Sequence, residues 1–161
     1  MHIHYKKLLM MLLPWVTVFF IPKKSFYQFL PVTLFSTIFL LIEGLFSIEY
    51  RWWKVKSGIP GMIHNALSFI LGPYFIGNIL IFHFTYKKFW LYALINLIMD
   101  LLIAYPLNYF FQKQGFYKLK NAKPSFLFIT SYIYSLINYG FQKLLEKNIY
   151  REQKHSPHLP K

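Results

Sequence analysis

Apolar positions along this chain gather into five runs, Leu8–Ile21, Phe29–Ile48, Met62–Phe84, Phe89–Phe111 and Ser125–Leu145, separated by short polar stretches rich in lysine. A helix needs about 20 apolar residues to cross the hydrocarbon of a bilayer. The second, third and fourth runs meet that length, and each is too long and too apolar for a surface helix of a soluble protein. The first run has only 14 residues, Leu8 to Ile21. Lys6 and Lys7 before it resemble the start of a signal peptide, but Pro22-Lys23-Lys24 stands where a small-residue cleavage site would have to be. It reads as a first membrane helix, lengthened by lysines that snorkel to the headgroups. The last run is long enough but spotted with polar residues, so it either spans inside a bundle or lies at the interface.

The pattern predicts an all-α, integral membrane helical bundle of five transmembrane helices, at about 6–22, 29–48, 62–84, 89–111 and 125–145. The alternative is four spans plus one interfacial helix. Residues 1–145 form a single domain, and the polar tail 146–161 is expected to be disordered. Thr85–Lys88 is a tight turn, which makes the third and fourth helices antiparallel neighbours. Trp52, Trp53 and Trp90 fall at run ends, the depth that aromatic rings with a polar tip prefer.

Composition agrees with a membrane class. Only 14% of residues are charged, against about 25% in soluble domains. The net charge of +13 would suggest nucleic acid in a soluble protein. Here the basic residues cluster between apolar runs, where anionic headgroups lie, and the aromatics are not interleaved with them. Nucleic acid is therefore excluded as a partner. The bilayer is the expected one, with other membrane proteins or self-association through helix faces as further candidates. With five spans, nine basic residues fall on each side and loop charge sets no orientation. With four, the bias places the N-terminus in the cytoplasm. The expected location is the bacterial inner membrane, multi-pass, with the N-terminus inside.

Polar residues inside the runs fall on single edges. Ala93, Asn96, Asp100, Ala104 and Asn108 recur at three or four residues, one stripe of a helix. Thr33, Ser36, Thr37, Glu43, Gly44 and Ser47 cluster likewise. So do Gly61, Asn65, Ser68 and Gly72, and so do Ser131, Tyr134, Ser135, Asn138 and Gln142. Such edges meet other helices in a membrane. Asp100 is the most costly of these residues, because an acid at a helix centre opposes insertion by about 2.5 to 3.5 kcal/mol. Glu43 is shallower, offset by roughly 7 Å along a parallel helix at 1.5 Å per residue, which argues against direct contact between the two. Two readings of Asp100 stand side by side. Structurally, it bonds Asn, Ser or Tyr across the bundle and fixes packing, which is the commoner case. Functionally, it handles a proton or a cation, with Glu43, Asn96 and Asn108 as companions. Gly72-Pro73 predicts a kink in the third helix.

No catalytic motif is present, neither H-E-x-x-H nor G-x-S-x-G nor a phosphate-binding glycine loop. No metal site is expected. Cysteine is absent, His64 and His83 stand at opposite ends of one helix, and the pairs His2/His4 and His155/His158 sit on termini. No cofactor is expected, and the chain reads as non-enzymatic: a structural or complex-subunit protein, with a small ion- or proton-coupled transporter or permease component using Asp100 and Glu43 as the alternative. The opening Leu12–Trp15 (LLPW), the helix Phe29–Phe39 (FLPVTLFSTIF), the Gly58–Pro60 start of the third run, and the acid-bearing fourth run followed by Gly115–Leu119 (GFYKL) together resemble small multi-pass membrane proteins of endospore-forming, low-GC Gram-positive bacteria. The resemblance extends to about residue 145 and implies a membrane bundle. That family has no established activity, so it implies no site residues.

Overall fold

The protein is described here from a computed structural model covering residues 2–155. Helix α1 (His2–Leu12) runs directly into a 3₁₀ segment, Leu13–Phe20. Helix α2 is Lys23–Glu49, α3 is Gly58–Thr85, α4 is Phe89–Lys113 and α5 is Pro124–His155. Between α2 and α3 lies the short strand β1 (Trp53–Lys54), and between α4 and α5 lies β2 (Lys118–Leu119). Three of these helices, α2, α3 and α4, are long and apolar enough to cross a membrane.

Two boundaries differ from expectation. The first run is not one α-helix: Pro14 has no N–H to donate to the Met10 carbonyl, and the chain tightens into the 3₁₀ form at that point. At the other end α5 does not stop at residue 145 but continues to His155. Residues 156–161 of the expected tail lie outside the described residues.

Successive helices run up and down. Helices α2, α3, α4 and α5 close a ring of contacts, and α1 lies outside the ring against α3. One end of the bundle carries the ribbon β1–β2, paired antiparallel with Trp53 opposite Leu119 and Lys54 opposite Lys118. Both helices that lead into the ribbon end alike. Trp52 N–H bonds the Ser47 carbonyl and Arg51 N–H that of Ile48; Phe116 N–H bonds Phe111 and Gly115 N–H bonds Gln112. This is the Schellman close, with a left-handed residue at its corner. Gly115 takes that corner without cost at φ 78°, while Arg51 takes it at φ 51° with a strain of about 1–2 kcal/mol.

The opposite end is aromatic. Phe29, Phe82, Tyr86 and Tyr92 form a buried cluster with Tyr139 against it. At its rim Glu146 accepts from the Tyr86 hydroxyl at 2.7 Å and from Gln28 at 2.9 Å, and the Lys143 ammonium sits 4.4 Å over the Tyr86 ring. Partial burial raises the Glu146 carboxyl, but the hydrogen bonds from Tyr86, Gln28 and Gln142 and the charge of Lys143 outweigh it and hold the group below its ordinary range.

The bundle is inverted relative to a soluble one. Its buried positions include Thr33, Ser36, Ser47, Asn96, Asn108, Asn138 and Gln142, while Leu34, Leu45, Leu94, Ile98, Ile129, Ile133 and Ile137 face outward. The polar edges predicted on each helix are the faces that meet inside. In α5 this explains why its average character is too polar for a membrane span. Between residues 126 and 137 its polar side is turned toward its neighbours, and the residues it presents outward are Phe126, Ile129, Ile133, Leu136 and Ile137.

Helices α3 and α4 each contain a π turn around a proline, Ile70–Tyr74 around Pro73 in α3 and Ile103–Leu107 around Pro106 in α4. In the first, the Phe75 N–H goes to the Ile70 and Gly72 carbonyls, bypassing Leu71, whose carbonyl accepts instead from the Trp15 indole at 2.8 Å. In the second, the Asn108 N–H goes to Ile103 and Tyr105, bypassing Ala104, and the Asn108 side-chain amide covers that carbonyl at 3.0 Å. A bare carbonyl in hydrocarbon costs several kcal/mol, so each bypass needs its own donor.

Gly72 is where α1 touches this turn. A Cβ there would lie 2.5 Å from the Met10 carbonyl oxygen and 2.8 Å from Met11 Cα, both backbone atoms with no room to yield. Gly72→Ala is expected to push α1 off α3 and cost about 1–3 kcal/mol, read as a lowered thermal midpoint in detergent. Gly77→Ala, where a Cβ meets nothing within 4 Å, serves as the control and should leave the midpoint in place or raise it slightly.

Candidate functional site: an acidic cavity under the ribbon

A cavity of about 220 Å³ opens between the helices on the ribbon side of the bundle's middle. Its walls come from every helix: Met10 of α1, Leu40 and Glu43 of α2, Asn65 and Phe69 of α3, Asp100 and Phe111 of α4, Thr130 and Ser131 of α5. Trp53, Val55, Phe116 and Tyr117 of the ribbon region roof it. The ribbon can do this because its residues alternate. Val55 is buried and Trp53 half-buried, while Lys54 and Lys56 point outward. The loop carbonyl of Trp52 takes N–H groups from Lys120, Asn121 and Ala122 at 2.8, 3.2 and 3.4 Å, and Asn121 donates to the Tyr50 carbonyl at 3.1 Å. The roof is therefore hung from backbone atoms of both loops. Its Tyr117 hydroxyl donates to Asn108 Oδ1 at 2.9 Å, and burial pushes the Tyr117 phenol up to about 12.

The floor is polar. Tyr74, at the end of the α3 π turn, shares a hydrogen bond with Ser36 of α2, and Asn138 of α5 donates to the same Ser36 oxygen at 2.7 Å. Beyond it lies the aromatic cluster.

Glu43 and Asp100 both line this one cavity. Their helical offset argued against contact, but the cavity spans it and brings both carboxyls to a common space. Glu43 has Thr130 beside it and Asp100 has Ser131. Both hydroxyls also lie within reach of carbonyls of their own helix. Thr130 Oγ1 donates to the Phe126 and Leu127 carbonyls at 3.0 and 3.2 Å, and Ser131 Oγ to Phe128 at 3.2 Å. Asp100 is only 8% exposed, and its Oδ2 has no hydrogen-bond partner. Asn65 donates from its amide to the Phe116 carbonyl, and its own Oδ1 is likewise buried without a partner. Among the described residues no lysine, arginine or histidine lines the cavity.

The other predicted site residues stand apart. Asn96 donates to the Tyr92 carbonyl of its own helix at 2.9 Å, and Asn108 supports α4 and the roof. Both lie on the buried stripe with Asp100 and neither lines the cavity. Gly72 and Pro73 lie in the π turn that ends at Tyr74. Among the described residues no three His, Asp or Glu side chains cluster to hold a metal; the side chains of the terminal pairs His2/His4 and His155/His158 fall outside the described set. Sequence reasoning missed the roof, the Tyr74–Ser36–Asn138 floor and the turn at Pro106. The signals were the alternation Trp53-Lys54-Val55-Lys56 and the proline at 106 inside an apolar run. Comparison of the chain with protein-family models, curated proteins and solved structures finds no match in any of the three.

Ser36 is fully buried, and removing its hydroxyl strands both the Tyr74 O–H and an Asn138 N–H. Ser36→Ala should cost about 2 kcal/mol or more, at about 1–3 kcal/mol per stranded buried group, measured as a loss of thermal stability in detergent far beyond that of Ser125→Ala on the exposed start of α5.

Proposed function

We propose that this chain is a five-span bacterial inner-membrane protein that handles a cation or proton in its acidic cavity, as a small ion- or proton-coupled transporter or permease component. The observation that carries the reading is Asp100: a nine-tenths buried residue, one carboxyl oxygen of which has no hydrogen-bond partner, in the wall of a cavity that Glu43 also lines. A carboxylate kept only as packing glue would have its acceptors filled from neighbouring helices, since an unfilled one costs about 1–3 kcal/mol or more. The two π turns support the same reading. Ile70 and Tyr74 of one, and Ile103 and Ala104 of the other, line the cavity, and such turns concentrate where helices work.

Five spans are supported by geometry. The 11 residues of α1 and the 8 of its 3₁₀ extension measure roughly 32 Å at 1.5 and 2.0 Å per residue, enough for about 30 Å of hydrocarbon. Helix α5 turns its polar residues inward and its isoleucines outward, the reverse of an interfacial helix. The inner membrane and the cytoplasmic N-terminus belong to the proposal and rest on the loop lysines and the bacterial resemblance. The role proposed is non-enzymatic.

A competing reading, a structural subunit of a larger complex, has one observation in its favour. Gly44, Gly77 and Gly140 have open space where a Cβ would be, and small residues admit close approach of another helix.

The chain has no cysteine, so single cysteines report topology directly. Cysteines at Lys56 and Lys120 should label from the side of the N-terminus, and those at Lys24, Lys88 and Lys147 from the opposite side. Labelling of Lys147→Cys together with Lys120→Cys would reduce the spans to four. For the activity, protein in proteoliposomes with a trapped pH dye should pass protons under an imposed potential. Asp100→Asn should keep normal membrane abundance and lower the flux by at least tenfold. Unchanged flux with Asn, together with lost abundance with Asp100→Leu, would restore the packing role.

A further inference from the structure

We infer that the crevice between α1 and the first half of α3 binds the phosphate of an anionic membrane lipid, with an acyl chain of the same lipid lying along the two helices. The crevice is separate from the acidic cavity, and nothing in the inference depends on Glu43 or Asp100. Three observations carry it: a buried ammonium, the lack of an anion to meet it, and an apolar wall open to lipid.

Lys7 of α1 is only 8% exposed, and lysine is almost never buried without a partner. It lines the crevice with His64 and Ser68 of α3. No Asp or Glu lines it. Among the described residues the Lys7 ammonium has no hydrogen-bond acceptor, whereas its neighbour Lys6 donates to Gln114 Oε1 at 2.7 Å. The Ser68 hydroxyl donates to the His64 carbonyl of its own helix at 2.7 Å and brings no charge. The Lys7 nitrogen is not sealed off as Asp100 Oδ2 is; it keeps a surface that a ligand can reach. An ammonium taken out of water without an anion is costly, so the site favours an anionic guest. Lys7 offers three N–H donors to it, and the exposed imidazole of His64 offers a further one.

Position and wall select a lipid phosphate over a free one. The Lys6–Gln114 bond sets the start of α1 beside the ribbon end of the bundle. Side chains of a helix tilt toward its N-terminus, so Lys7 leans toward that end, as lysines near membrane surfaces do. The rest of the crevice includes Leu8, Leu67 and Leu71, all three exposed on the outside of the bundle. Helix α3 is long and apolar enough to cross a membrane, so these leucines meet lipid tails. A free phosphate has no use for them, whereas a lipid sets its phosphate on Lys7 and a chain along the leucines. Basic pockets between helices near a membrane surface hold anionic headgroups in this way. The ribbon at the same end pairs Lys54 with Lys118, and Lys56 and Lys120 are exposed beside them, a charge that draws anionic lipid to that leaflet.

The test uses purified full-length protein in detergent, with dioleoylphosphatidylglycerol as the probe. Dioleoylphosphatidylcholine is the zwitterionic lipid with the same chains, and sn-glycerol 3-phosphate is the phosphate without chains. Retained lipid is counted by native mass spectrometry in competition titrations, and thermal shift reads the same binding. The anionic lipid should be held about tenfold more tightly than the zwitterionic one, on the scale of a charged hydrogen bond, and glycerol phosphate should give no thermal shift. Lys7→Gln should remove most of that preference. Lys7→Arg, which keeps a phosphate donor, should preserve it, as should Lys24→Gln at the opposite end of the bundle. Leu67→Trp fills the crevice from an exposed position with Lys7 and His64 in place; it should also remove the preference, which covers the case in which Lys7→Gln misfolds. Equal retention of the two lipids by the wild-type protein overturns the site, and so does an unchanged preference in a well-folded Lys7→Gln or in Leu67→Trp. An equal loss in Lys24→Gln overturns it too, by reducing it to general surface charge. Glycerol phosphate bound as tightly as the lipid overturns the lipid assignment.

Discussion

Ser36 has one hydroxyl proton, and two side chains from different helices meet its oxygen. Asn138 of α5 donates to it, and Tyr74 of α3 shares its proton. Three of the four helices in the ring are thus joined at one buried point, between the aromatic end and the cavity. In a bundle that turns many of its leucines and isoleucines outward, this kind of contact adds what a larger apolar core would supply in water. Lipid tails are as apolar as leucine, so moving leucine from lipid to protein gains little, and close packing and interhelical hydrogen bonds hold the helices. Everything on the ribbon side depends on that junction, because Tyr74 is at once its member and the floor of the cavity.

The prolines work within the same constraint. Pro73 and Pro106 each shift their helix by one residue through a π turn, and each shift leaves a carbonyl bypassed by the next N–H. Trp15 from α1 covers one and Asn108 from α4 covers the other. The first of these explains the short segment at the N-terminus. Leu13–Phe20 in 3₁₀ form sets the indole of Trp15 against Leu71 and stacks its ring on Phe75, 5.8 Å away. Close approach of Met10 and Met11 over Gly72 then follows. Local backbone geometry at Pro73 and docking of α1 are one feature.

The helix faces were legible because the membrane inverts a familiar signal: a stripe of Ala93, Asn96, Asp100, Ala104 and Asn108 in an apolar run marks what turns inward, and those residues are buried. The Gly72-Pro73 pair marked a break in the regular helix, and a π turn stands there. What spacing could not give was where donors go. Asn96 and Asn108 were read as partners for an acid, yet both amides return to carbonyls of their own helix. The ribbon was hidden for another reason. Two residues per strand are too few for alternation to stand out, and lysines in a loop read as headgroup contacts. Depth along single helices also misled. A vertical offset separates Glu43 from Asp100 as points, but a cavity has extent, and both carboxyls reach it.

The two ends of the cavity differ in what holds them. On the floor side, the buried hydroxyls adjoin a buried cluster of Phe29, Phe82, Tyr86 and Tyr92, in which Phe29 stacks on Phe82 and Tyr92 meets Phe82 at a tilt. Opening there would strand Ser36, Tyr74 and Asn138 together, at about 1–3 kcal/mol each. On the roof side, a strand pair two residues long hangs from the Trp52 carbonyl and the Tyr50 carbonyl, at a depth where exposed backbone groups find water. Arg51 already holds a left-handed backbone there, and releasing the ribbon would relieve that strain of about 1–2 kcal/mol. Motion is cheapest where lost hydrogen bonds are replaced by water and strain is released. The cheapest opening of the bundle therefore lies at the ribbon, over Trp53 and Phe116.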